Sequence, residues 1–147
     1  MIEIVELSPE WVPQVAEMEA LCFCDPWSER SIASEVENPL SLWLVAVQDG
    51  RAAGYVGSQT VLGETDMMNV AVHPESRRQG IAEALIQELI CRLRERGSRC
   101  LTLEVRQSNL AARYLYEKMG FQQVGKRPGY YRNPKEDALI LRKEWPV

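Results

Sequence analysis

The longest regular pattern along the chain places apolar residues at Ala82, Leu85, Ile86, Leu89, Ile90 and Leu93. This 3.6-residue period predicts a helix with one core face and one solvent face, ended by Gly97. Immediately afterwards the period changes to two. Leu101, Leu103 and Val105 fall on one side of a predicted strand over Cys100 to Arg106, with Thr102, Glu104 and Arg106 on the other. Upstream, Ile2 to Leu7 reads as a first strand. Ser8 can cap a following helix with Pro9 at its first position, although Pro13 allows the regular helix to begin only there and run to about Cys22. Ser28 can cap a second helix over roughly Glu29 to Glu37, stopped before Pro39. Leu42 to Gln48 and Arg51 to Leu62 predict a hairpin across Asp49-Gly50, with a further strand from about Asp66 to Val72 beside it. Asn109 to Met119 reads as a short helix closed by Gly120. Gln122 to Gly125 and Ala138 to Lys143 read as final strands around a loop rich in Arg, Pro and Tyr. The alternation of strands and helices predicts a mixed α/β domain.

Length and charge narrow the classes of function. A chain of 147 residues is expected to form one domain over 1–147, with no linker, repeat or low-complexity tract. The first residues lack a basic region followed by an apolar one, and no run of about 18 apolar residues occurs. Secretion and membrane spanning are therefore not expected. Cys22, Cys24, Cys91 and Cys100 lack metal-ligand spacing, and His73 is the only histidine, so no metal site is expected. Free thiols in a reducing, cytoplasmic compartment are the better account. A net charge of −4 argues against nucleic-acid binding, which needs a basic face.

The candidate chemistry begins at Asn69-Val70-Ala71-Val72-His73-Pro74-Glu75-Ser76-Arg77-Arg78-Gln79-Gly80-Ile81-Ala82, where an apolar strand runs through a basic loop into the long helix. Unpaired backbone N–H groups at a helix N-terminus, together with the helix dipole, favour a phosphate-bearing ligand. The loop is neither the dinucleotide fingerprint nor a P-loop. Further on, Glu104 lies on the polar face of its strand and Tyr116 on the next helix. A carboxylate can take a proton from an ammonium, and a phenol can protonate a departing thiolate. Each residue also has a plainer reading: Glu104 as a solvated strand glutamate, Tyr116 as part of an apolar stripe with Ala112, Leu115 and Met119, Asn109 as a helix cap, and Arg77 and Arg78 as loop charges.

Arg77-Arg78-Gln79-Gly80-Ile81-Ala82 resembles the R/Q-x-x-G-x-G/A loop of the GCN5-related N-acetyltransferases (GNAT), with Ala82 where glycine is commoner. Leu103-Glu104-Val105-Arg106-Gln107-Ser108-Asn109 and Leu115-Tyr116-Glu117-Lys118-Met119-Gly120-Phe121 resemble the bacterial branch of that family that acetylates a ribosomal protein at its N-terminal alanine. Pro26-Trp27-Ser28, Tyr130-Tyr131 and Glu136-Asp137-Ala138 extend the resemblance over nearly the whole chain.

The resemblance implies a central mixed sheet of six or seven strands flanked by about four helices and splayed between the strand of Val72 and the strand of Glu104. It implies Glu104 as general base and Tyr116 as general acid. It places acetyl-coenzyme A (acetyl-CoA), as co-substrate, against Val70, Ala71, Val72, Arg77, Arg78, Gln79, Gly80, Ile81, Ala82, Glu83 and Asn109. The implied partner is the N-terminal peptide of small-subunit ribosomal protein number eighteen, entering between Trp27 and the Tyr130-Tyr131 loop, although core packing accounts for these aromatics equally well. The alternatives are acetylation of lysine or a small amine on the same fold, and a coenzyme A-binding module without catalysis. Cysteine acylation competes in chemistry, but no cysteine falls within the segments that resemble the catalytic motifs.

Overall fold

In the computed structural model, which describes residues 1–146, seven strands form one sheet in the order β1-β2-β3-β4-β5-β7-β6. The strands are β1 (Ile2–Glu6), β2 (Ser41–Gln48), β3 (Arg51–Val61), β4 (Glu64–Val72), β5 (Cys100–Arg106), β6 (Gln122–Tyr131) and β7 (Glu136–Glu144). The helices are α1 (Val12–Cys22), α2 (Glu29–Val36), α3 (Ile81–Glu95) and α4 (Leu110–Lys118). This is the mixed α/β architecture expected from the resemblance.

Helices cover both faces of the first half of the sheet, which explains why β2 and β3 are buried almost continuously rather than in alternation. Leu42, Leu44 and Ala46 pack with α3 residues such as Leu85 and Leu89. Trp43 and Val45, from the same strand, pack on the other side with Val15, Met18 and Ile32. Gly57 permits that second layer, since a Cβ there would lie 2.3 Å from Trp43. In β5, Leu101, Leu103 and Val105 join the core on the α3 side, and Cys100 at the start of the strand is buried as well. The opposite face of β5, carrying Thr102, Glu104 and Arg106, is left partly open.

The seam between β4 and β5 is the feature that makes a site. The two strands run parallel but pair only at Glu64 with Cys100, Thr65 with Leu101 and Asp66 with Thr102. Beyond those residues they part. A register shift opposite Gly57 and Ser58, between Met67 and Asn69, bends β4 where the gap begins. Residues 67–72 of β4 therefore present a backbone edge without a β5 partner.

Several sequence expectations shift in detail. Ser8 does not cap α1 with its side chain. Its carbonyl instead accepts from the Trp11 amide at 3.0 Å, and the helix starts at Val12 with Trp11 as its N-cap. The buried face of α3 starts at Ile81, while Ala82 is only partly buried. The final strands are longer than Gln122 to Gly125 and Ala138 to Lys143. The Arg-, Pro- and Tyr-rich segment belongs to β6, because register shifts on either side of Lys126 and Arg127 absorb Pro128 and Gly129 without ending the hairpin.

Candidate active site

Where β4 and β5 separate, a cleft of about 750 Å³ opens, lined by Val70, Glu104, Asn109, Tyr116, Trp27, Tyr130 and Tyr131 among others. Glu104 reaches it from the open face of β5. Tyr116 reaches it from α4, whose apolar side joins the α3 core. The gap between the strands lets side chains from opposite faces of the sheet meet in one space.

Glu104 has a half-shielded environment. Its side chain is 30% exposed, yet Oε2 is buried and accepts no hydrogen bond among the described residues. Nε of Arg127 lies 3.0 Å from that oxygen, near enough for an ion pair but without hydrogen-bond alignment. Tyr116 is 5% exposed and packs edge-on against Phe121 at 5.6 Å between ring centroids. Burial, followed by the proximity of Tyr131, pushes its phenol up to about 12. Burial and then the Glu104 carboxylate push Tyr131 up to about 12 as well. These mutual influences bring Glu104, Tyr131 and Tyr116 into one electrostatic neighbourhood. Both phenols keep their protons at neutral pH and can act only as neutral donors or acceptors there.

Asn109 caps α4 through its side chain, accepting from the Ala112 amide at 3.2 Å, and also faces the cleft. Its capping role thus leaves it on the cleft wall. Trp27 likewise packs and lines: its ring stands edge-on to Trp43 at 5.4 Å while its residue borders the cleft.

The phosphate-loop candidates lie at the neighbouring end of β4 rather than on the cleft wall. Arg78 and Gly80 both adopt left-handed backbone, with φ of +66° and +73°. Left-handed residues in a tight turn rotate successive N–H groups to one side, as in anion-binding backbone nests. Gly80 is the N-cap of α3 and contributes no side-chain acceptor, leaving the amides of Ile81, Ala82 and Glu83 uncapped. The space where a Gly80 Cβ would stand is empty to 4 Å. An open, uncapped helix start beside two arginines fits a pyrophosphate.

The side chains around this turn have separate tasks. That of Ile81 is core, and that of Glu83 pairs with Lys118 at 2.9 Å. Gln79 accepts from Gln48 at 2.9 Å, and Arg77 turns toward the Val72 carbonyl at 3.4 Å. Ala71 is buried and pairs with Tyr55, so it and Val72 offer backbone.

Residues not singled out in the sequence complete the site. Glu19 is fully buried in α1, where its carboxylate accepts from the Tyr55 hydroxyl, from Asn69 Nδ2 at 2.7 Å and from the Trp27 amide at 2.8 Å. One carboxylate thus ties the segment before α2 to the bent part of β4. Burial first, and then this carboxylate, raises the Tyr55 phenol above its usual range. A charged residue four positions after Val15, within an otherwise apolar helix face, was the available signal. Cys22 and Cys24 also border the cleft, with Cys22 Sγ 3.9 Å from the Val72 carbonyl.

Comparison with known proteins places this arrangement. The model of the acetyltransferase (GNAT) family matches residues 12–121. The ribosomal protein bS18-alanine N-acetyltransferase of Escherichia coli (strain K12) is 39% identical over 144 residues, covering 96% of each chain. That of Haemophilus influenzae is 36% identical over 129 residues, covering 85% of this chain and 86% of that protein. The crystal structure of the E. coli ribosomal-protein-S18-alanine N-acetyltransferase superposes with a TM-score of 0.92 at 36% identity, covering 100% of this chain and 96% of that one. Arabidopsis thaliana NAA60 in complex with acetyl-CoA shares the fold at a TM-score of 0.88 and 20% identity, covering 98% of each chain. The chain belongs to the acetyltransferase (GNAT) family and is an N-acetyltransferase.

Proposed function

We propose that this family member transfers acetyl from acetyl-CoA to the N-terminal α-amine of a protein, in the first instance the N-terminal alanine of ribosomal protein bS18. The reaction takes place in the cytoplasm, in a ternary complex, with residues 1–147 acting as one catalytic domain. The observation that carries the reading is the single cleft at the β4–β5 gap, which gathers a half-shielded carboxylate, a protonated phenol and an aromatic wall. The names of the bacterial relatives support the choice of peptide.

When bound, acetyl-CoA supplies the thioester carbonyl carbon that is attacked and the thiolate that leaves. The uncapped amides of Ile81, Ala82 and Glu83, with Arg77, Arg78, Gln79 and Gly80 around them, hold its pyrophosphate. The backbone of Val70, Ala71 and Val72 faces the arm that carries the thioester, and Asn109 borders it. Glu104 takes a proton from the substrate ammonium, directly or through water, so that the amine lone pair can form the new C–N bond. As the C–S bond breaks, Tyr116 gives its proton to sulfur, and its raised affinity for that proton ensures that it is in place beforehand. Trp27, Tyr130 and Tyr131 flank the path of the peptide.

An α-amine asks less of the base than a lysine side chain does. Its pKa is about 7.7 to 8.0, against about 10.4 for lysine, so roughly a tenth of it is neutral near pH 7. The difference relieves the site of about 3.4 kcal/mol of deprotonation.

Mass spectrometry of alanine-terminated bS18 peptide after incubation with the protein and acetyl-CoA tests the reading. One acetyl group on the α-nitrogen is expected, with none on a peptide whose N-terminus is blocked. Acetylation of lysine in the blocked peptide would shift the assignment to side chains. Tight acetyl-CoA binding without any transfer would leave a coenzyme A-binding module.

A further inference from the structure

Tyr131, the last residue of β6, borders the cleft just beyond a break in the strand ladder. Pairing jumps from Arg127 with Ala138 to Tyr131 with Glu136, so the backbone of residues 128–130 has no regular partner. Pro128 and Pro134 add positions without an N–H donor. Within the break the Gly129 amide donates to Asp137 Oδ1 at 2.8 Å, and the neighbouring aromatic side chain requires a further restraint to stay in one place.

Arg106 supplies it. The residue lies two positions beyond Glu104, on the same open face of β5. Nη2 donates to the Arg132 carbonyl at 2.9 Å, and Nη1 donates to the Pro134 carbonyl at 3.0 Å and to Glu136 Oε1 at 3.3 Å. The flat face of the same guanidinium lies 4.4 Å from the centroid of the Tyr131 ring. The other oxygen of Glu136 accepts from the Ser108 amide at 2.6 Å, which anchors the clamp to the segment entering α4. Hydrogen bonds from Ser108, and then from Arg106, hold the Glu136 carboxyl below its usual range. Two carbonyls, a carboxylate and an aromatic face are satisfied together only by a planar fork of donors, which lysine lacks.

We propose that Arg106 is a positioning residue for the protein substrate: it fixes Tyr131 and the β6–β7 turn against the peptide side of the cleft, and acts through Tyr131 rather than on the reacting atoms. The inference rests on the N-terminal acetyltransferase reading given above and adds a determinant of peptide fit to it. The phosphate turn lies on other elements, so the contacts to the pyrophosphate of acetyl-CoA are independent of the clamp.

The test uses the whole protein with Arg106→Met, which keeps much of the side-chain length, and Arg106→Lys, which keeps the charge. Both should raise KM for an alanine-terminated peptide about tenfold or more while kcat and KM for acetyl-CoA change less than about twofold. Combined with Tyr131→Ala, either substitution should add less than about twofold to the loss that Tyr131→Ala causes alone. Unchanged peptide KM, full rescue by lysine, additive losses in the double variant, or an equal rise in KM for acetyl-CoA would each overturn the proposal. Amide hydrogen exchange over residues 129–137 reads the clamp without turnover. Faster exchange in Arg106→Met supports it, and unchanged exchange overturns it. If the parent protein acetylates no N-terminal peptide, the reading of function falls while exchange still decides the clamp.

Discussion

Arg127 Nε sits 3.0 Å from Glu104 Oε2, so the carboxylate at the centre of the cleft already faces a cation before a substrate ammonium arrives. Arg127 also reaches over Tyr130, with its guanidinium 5.6 Å from the ring centroid. Its side chain is 58% exposed, which limits what the pair contributes. Arg127→Met should therefore change peptide KM by no more than about fivefold, and the difference should shrink as salt is added. Steady-state kinetics at low and high ionic strength measure this, and the expected contrast is with the larger effect at Arg106.

Removing the charge of Glu104 while keeping its volume separates catalysis from binding. Glu104→Gln should lower turnover about 10²- to 10⁴-fold with little change in acetyl-CoA affinity. Single-turnover transfer and equilibrium binding of the co-substrate provide the two readings. Turnover equal to the parent near neutral pH would remove Glu104 from the proton path.

The buried phenols predict the alkaline behaviour. Tyr116 and Tyr131 are both pushed up to about 12 from an ordinary value of 10.0. Activity should therefore show no falling limb centred near pH 10 that Tyr116→Phe abolishes. The unfolded chain releases these protons from about pH 10 while the folded chain retains them, so the unfolded state binds fewer protons over that interval. Stability is then intact below about pH 10 and declines as pH rises toward 12, which urea midpoints across that range would record.

Glu19→Ala leaves the Tyr55 hydroxyl, the Asn69 amide and the Trp27 N–H without their acceptor. Stranding buried donors costs about 1 to 3 kcal/mol each, so a loss of about 3 kcal/mol or more is expected in urea unfolding. Glu19→Gln, which retains one acceptor oxygen, should recover part of it.

The legible parts of the chain are those where a local rule and the tertiary fold agree. The Asp49-Gly50 hairpin and the α3 stripe followed from turn chemistry and helical period, and Ser28 caps α2 with Oγ accepting from Ser31 N at 3.1 Å. The length of β6 was not legible, because Pro128 and Gly129 look like breakers unless a register shift is known to accommodate them. Glu104 and Tyr116 were chemically legible, and the motif resemblance raised them above ordinary strand and core residues. Glu19, Arg106 and Arg127 were not, since each matters through a partner distant in sequence: Asn69 for the first, Arg132 and Pro134 for the second, and Glu104 for the third.

The three residue pairs that join β4 to β5 leave the two halves of the sheet stitched together at one end only. A molecule seated in that gap and touching both strands stands in for the missing rungs. Its occupancy then strengthens the scaffold by mass action, and the enzyme resists unfolding best when it is loaded for work.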